Sequence, residues 1–181
     1  MKKIIAIAAF SITAIAAKAQ NASSTAQQQV NLNLSNAIEL TFTGNNSATG
    51  AAVNLAFNTV NDYANGVQSA AQGLKVRSNK KFDVTVKTNA TNFSYTGSTT
   101  PAPVMPVSGV LALKVSANST GGSIAGSFSD FAGLSSTAAN LLTNCNNGGN
   151  QTFSVMYEAT PGFAYPAGTY TVDVVYTATQ L

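Results

Sequence analysis

Histidine and tryptophan are absent from the 181-residue chain, cysteine occurs once, and only 8% of residues are charged. Each shortage removes a class of function. Without an imidazole, a Ser-His-Asp triad and a His-ligated metal site are excluded. With Cys145 alone no intramolecular disulfide forms, so stability must come from a packed core. In "LLTNCNNGG" that cysteine reads as a small buried hydrophobe, with an intermolecular disulfide as the alternative. The six acids, Glu39, Asp62, Asp83, Asp130, Glu158 and Asp173, are scattered. They make no calcium loop and no paired run for glycoside hydrolysis. The expectation is a protein that is not an enzyme, with no cofactor and no metal.

What is present begins with a leader. "MKKIIAIAAFSITAIAAKAQ" carries Lys2 and Lys3, an apolar run from Ile4 to Ala17, and an A-x-A site at Ala17-Lys18-Ala19. This pattern predicts a secretory signal peptide over residues 1–19 and a mature chain starting at Gln20. The apolar run falls short of the roughly 20 residues a spanning helix needs, so no membrane span is expected in the mature chain. The leader holds three of the nine basic residues, leaving six Lys+Arg against six Asp+Glu. The sequence pI near 9.1 therefore belongs largely to the leader. A nucleic-acid partner loses its electrostatic basis. Export to the extracellular space or cell surface, through a periplasm in transit, is the compartment this reading implies.

Apolar residues then recur with period two, the mark of half-buried strands. The runs are Val30/Leu32/Leu34, Ile38/Leu40/Phe42, Val53/Leu55/Phe57, Leu74/Val76, Phe82/Val84/Val86, Phe93/Tyr95, Leu111/Leu113/Val115, Phe153/Val155/Tyr157 and the closing Tyr170 to Ala178. Turn-forming segments such as "TGNNSATG", "NDYANGV" and "TPGFAYPAG" separate them. The pattern predicts an all-β fold, an antiparallel immunoglobulin-like or pilin-like β-sandwich of about 8–9 strands, over residues 36–181. One short helix is expected at most, at Ser136 to Cys145. "PAPVMP" reads as an edge or connector, because its prolines remove ladder donors.

Three stretches carry candidate interaction residues. Residues 20–35 form a polar arm ending in Val30, Leu32 and Leu34, read either as an ordinary first strand or as a donor strand that pairs with a neighbouring subunit. "KVRSNKKFDV" reads as a hairpin turn and gathers Lys75, Arg77, Lys80 and Lys81, four of the six mature cations, within seven positions. Lys80 and Lys81 are candidates for an acidic partner, against the plainer role of guarding a sheet edge. Ser78-Asn79-Lys80-Lys81 also fits the S-x-x-K pattern of serine acyltransferases, but it sits between strands and lacks the companion elements. "PGFAYPAGTY" presents Phe163 and Tyr165 in a loop, where they either stack on a glycan or pack over the end of the sandwich.

The lysine-led signal, the polar arm, the alternating first strand and the closing "AGTYTVDVVYTA" resemble bacterial pilin and fimbrial subunits. "YPAGTYT" also resembles the end of WxL-type surface domains, although the tryptophan that names that family is missing here. The pilin resemblance implies a non-catalytic structural subunit of an extracellular pilus or surface fibre. Its partners would be itself, as a homopolymer, or other surface subunits. The alternative is a monomeric secreted adhesin-like domain that binds glycan or cell wall through "RSNKK" or "PGFAYPAG".

Overall fold

A computed structural model describes residues 22–181, so the predicted leader at 1–19 lies outside the described residues. The described residues fall into two units, 22–34 and Ser35–Leu181. Within the first, residues 22–34 carry no helix and no strand. Val30, Leu32 and Leu34 are 75%, 83% and 88% exposed. Of the two readings of this arm, the ordinary first strand is corrected. Alternation makes a strand only when a neighbour satisfies the backbone, and among the described residues no ladder includes them.

The unit from Ser35 to Leu181 is an antiparallel β-sandwich. Its strands are β1 (Ile38–Phe42), β2 (Val67–Gln68), β3 (Gln72–Ser78), β4 (Phe82–Thr88), β5 (Ser94–Thr96), β6 (Leu111–Asn118), β7 (Ser123–Ile124), β8 (Ala132–Gly133), β9 (Ala139–Cys145), β10 (Gly148–Ala159), β11 (Thr169–Thr171) and β12 (Val174–Gln180). One sheet has the order β1-β3-β10-β6-β8, with β2 also on β10; the other has the order β12-β4-β9-β7, and β5 and β11 make a separate ribbon. Alternation does the sorting. Leu74 and Val76, Leu113 and Val115, and Phe153 and Val155 point inward from the first sheet, while Phe82, Val84 and Val86 point inward from the second. Together they form one core. Cys145 joins it, fully buried, and accepts a 3.1 Å hydrogen bond from the Thr120 hydroxyl. Burial, as the main cause, pushes its thiol above the usual range.

Several local expectations are overturned. Ser136 to Cys145 is no helix, because its second part is β9. Leu141 and Leu142, adjacent in sequence, are both fully buried. Register shifts against β4 place extra residues in β9, and a bulge lets neighbouring side chains break strict alternation. The one α-helix among the described residues, α1 (Val60–Asn65), falls instead where a turn was expected. Thr59 caps it: the Thr59 hydroxyl accepts from the Asp62 amide, while the Asp62 carboxylate accepts from the Thr59 amide. The amides of Thr59 and Asn58 hold the Asp62 carboxyl below its ordinary range. The 51–57 segment joins no ladder, although Leu55 and Phe57 pack on the core.

The turn at 79–81 is not a hairpin. It carries the chain from β3 in one sheet to β4 in the other. Ser78 ends β3 with its hydroxyl donating to the Lys80 carbonyl at 2.7 Å, so the S-x-x-K serine is engaged with backbone in a turn. The closing strand is also interrupted. β11 pairs with β5, then β12 pairs with β4. The break is held by Asn89, whose side chain accepts from the Asp173 amide at 3.1 Å and donates to the Asp173 carboxylate at 2.8 Å.

Candidate functional site

The β5/β11 ribbon brings the chemistry of the loop around Phe163 to one place. Its register sets Tyr95 directly opposite Tyr170, with ring centroids 5.0 Å apart. Tyr165 meets Tyr170 edge-on at 6.4 Å. On the other side, Tyr63 of α1 stacks on Phe163 at 5.6 Å with ring planes 23° apart, and Phe57 lies 5.4 Å from Tyr63. Burial, then the neighbouring phenols of Tyr95, Tyr165 and Tyr63, push the Tyr170 phenol above its usual range. Phe163 and Tyr165 stand two residues apart in one loop, which joins the two aromatic groups into one cluster. Four of the chain's six tyrosines belong to it.

The rings are braced. Tyr95 donates its hydroxyl to the Ala167 carbonyl at 3.1 Å and accepts from the Thr99 amide, while Tyr170 donates to the Pro166 carbonyl at 2.9 Å. A side chain at Gly97 or Gly168 would run into the Tyr95 ring. Gly162 turns the loop at φ +61, in the left-handed region that glycine adopts without a Cβ clash. Phe163, at the outer end of the stack, remains 68% exposed. Exposed aromatic area of this kind costs solvation and marks contact surfaces.

No family model and no curated protein matches this chain.

The remaining candidates lie elsewhere. β12 starts beside the Tyr95/Tyr170 ribbon and ends at Gln180, whose side-chain amide donates to the Ala37 carbonyl, the Ser78 hydroxyl and the Asn79 side chain. Leu181 donates its amide to the Lys81 carbonyl. A seven-residue strand spans roughly 20 Å, so Lys80 and Lys81 sit at the far end from Phe163 and Tyr165. The structure unites Phe163 with Tyr165 and separates both from the lysines. Of the four clustered cations, Arg77 pairs with Glu39 at 3.6 Å and Lys75 donates to Asn46 at 2.9 Å.

Two surface depressions flank β1. One of about 510 Å³ is lined by Ala37–Glu39, Arg77–Asn79 and residues 147–149; the other, of about 330 Å³, lies beside Phe42 and Gly73. Among the described residues, no three His, Cys, Asp or Glu side chains converge where a metal ion would need them, and no helix is long and apolar enough to cross a membrane.

The edges of the two sheets differ. Among the described residues β12 pairs only with β4, and β1 only with β3. These edges are seven and five residues long, whereas β7 and β8 at the opposite edges have two residues each. β12 reads Val-Val-Tyr-Thr-Ala-Thr-Gln, without a charge or proline.

Sequence reasoning missed Tyr63, Tyr95 and Tyr170 as surface residues. Tyr95 and Tyr170 sit at the apolar phase of their strands and read as core. The signal that could have marked Tyr95 is the pair of glycines flanking the two short strands, Gly97 and Gly168, both of which leave room for the Tyr95 ring.

Proposed function

We propose that the chain is exported and serves as a non-catalytic structural subunit of a bacterial extracellular pilus or surface fibre, assembling through β-strand contacts between subunits. The observation that carries this reading is the exposure of Val30, Leu32 and Leu34 at alternate positions of a segment without secondary structure. An apolar side chain gains roughly 1.5–3 kcal/mol on full burial, so three in water leave a large driving force unused. Strand addition uses it: a peptide joining a sheet edge forms main-chain hydrogen bonds and places every second side chain against the core.

β12 supports the same reading from the acceptor side. Natural sheets guard their edges with lysine, proline, bulges or very short strands. Two-residue β7 and β8 follow that practice; uncharged, seven-residue β12 does not. An arm from one subunit added beside β12 of the next would generate a head-to-tail contact, and such contacts propagate into filaments when the rotation does not close a ring.

The experiment compares the chain from Gln20 with the chain from Ser35, by sedimentation and by electron microscopy of negatively stained samples. Filaments or concentration-dependent oligomers are expected only with the longer chain. Two equally stable monomers at high concentration, with no filament containing this chain on the native cell surface, would sink the reading.

A further inference from the structure

We propose that the aromatic surface around Tyr170 is a binding platform for neutral carbohydrate, a chain of uncharged hexopyranose units. This does not depend on whether the protein polymerises. The platform is built on the β5/β11 ribbon and its loop, whereas strand addition would use the edge of β12.

Three observations select this chemistry. The first is ring presentation. Phe163 is the most exposed aromatic of the described residues that pack in aromatic pairs, and it is stacked on Tyr63 rather than folded into the core. A pyranose ring offers an apolar face of C–H groups to such a surface, and dispersion with a rigid aromatic face is its natural contact. The second is rigidity. Tyr95 and Tyr170 are tied to the loop carbonyls of Ala167 and Pro166, and Tyr95 also to the Thr99 amide, so the rings keep their places without a ligand. A preorganised platform loses little side-chain freedom on binding.

The third observation is charge. The three segments that build the platform, residues 56–65, 91–103 and 160–173, contain no lysine and no arginine. Their only charged residues are Asp62 and Asp173. Asp62 is engaged in the α1 cap and Asp173 with Asn89. Nucleic acid also stacks on aromatic rings, but its phosphates require cations that these three segments lack. An acidic polysaccharide meets the same objection. A neutral glycan needs only stacking faces and uncharged hydrogen-bonding groups.

The test uses the purified full chain against immobilised neutral polysaccharides (β-glucan, mannan, xylan and starch), with alginate and heparin as acidic counterparts, by affinity electrophoresis. Titration with a hexasaccharide from any retarding polymer follows. With six tyrosines and no tryptophan in the chain, stacking on the platform also registers directly in tyrosine fluorescence.

The expected result is retardation by at least one neutral polymer and a saturable change in tyrosine emission. Phe163→Ala and Tyr165→Ala should each lower affinity by about tenfold, while Phe163→Tyr and Lys80→Ala leave it unchanged. Melting temperatures of these variants should stay within about 2 °C of the parent, because the altered side chains lie at the surface. The proposal is overturned if no neutral polymer retards the chain or if binding survives Phe163→Ala combined with Tyr165→Ala. It is equally overturned if heparin or alginate binds more tightly than every neutral polymer. A change in sedimentation of that double variant without any glycan effect would reassign the surface to contacts between copies. Each of these failures leaves the filament comparison intact.

Discussion

Tyr157 and Tyr176 meet inside the sandwich through their hydroxyls, 2.6 Å apart, whereas Tyr95 and Tyr170 meet at its end through their rings, with the hydroxyls turned to backbone. The residue type is the same and the role is reversed. Inside, Tyr157 comes from β10 in one sheet and Tyr176 from β12 in the other, so their hydrogen bond joins the two layers across the core. Phe42 of β1 lies edge-on to Tyr176 at 6.2 Å and closes that side. Outside, the polar ends fix the rings and leave apolar faces toward solvent. A phenol buried among apolar groups must find a partner for its hydroxyl, while one at the surface is free to present its ring. The comparison teaches that the hydroxyl's partner decides which part of a tyrosine remains available for contact.

The comparison breaks most severely with Tyr157→Ala. Removing a ring that is 8% exposed from the inward face of β10 should cost about 3–5 kcal/mol in urea unfolding, the range for large-to-small core changes. Tyr176→Phe is gentler. It leaves the Tyr157 hydroxyl buried without its partner, an expected loss of about 1–3 kcal/mol, and Tyr157→Phe combined with Tyr176→Phe should recover part of it, since two apolar groups then face each other. If the double variant is less stable than either single one, the hydroxyl pair is not the source of the loss.

Alkaline pH addresses the same pair without mutation. Burial raises both phenols, Tyr176 well above its usual range, and for Tyr176 the neighbouring Tyr157 adds to the effect. The folded protein then holds protons that the unfolded chain releases, so stability is full below the unfolded value of about 10 and falls as pH rises through the folded values. Unfolding followed by circular dichroism from pH 8 to 12 should show this decline, and the double phenylalanine variant should show a shallower one. The smallest effect belongs to the outer group. Phe163→Ala should change unfolding free energy by no more than about 0.5 kcal/mol, in keeping with surface substitutions. A loss above 2 kcal/mol would show that the platform supports the fold and would erase the contrast with Tyr157.

Much of the sandwich was legible in advance, for a local reason. Period-two alternation at Leu74/Val76, Phe82/Val84/Val86, Leu111/Leu113/Val115 and Phe153/Val155/Tyr157 reports directly on which side of a strand faces the core, and each of these runs is a strand. Misreadings occurred where tertiary partners override the pattern. Val53/Leu55/Phe57 alternates but joins no ladder, and Leu141-Leu142 suggests a helix yet lies in a bulged strand. α1 was masked by the turn-like composition of "NDYANGV", although Thr59 and Asp62 are the capping pair that marks a helix start. Of the candidate site, Phe163 and Tyr165 were visible because they sit in a loop bounded by proline and glycine. Tyr63 and Tyr95 were not, since they lie about 100 and 70 positions away along the chain and nothing local links them.

By itself, then, the sequence determined that catalysis has no imidazole to use, that no internal disulfide braces the fold, and that alternating segments will form strands with one apolar face. Those properties reside in composition and in neighbours two positions apart. Only the tertiary structure decided that Ser78 and Phe82 begin and end a passage between sheets, that Tyr157 bonds Tyr176 across the core, and that β12 lies at an uncharged edge. Strand pairing joins residues far apart in sequence, and the same alternating pattern is satisfied by many orders of strands. The order that packs one continuous core fixed which tyrosines were enclosed and which were left facing water.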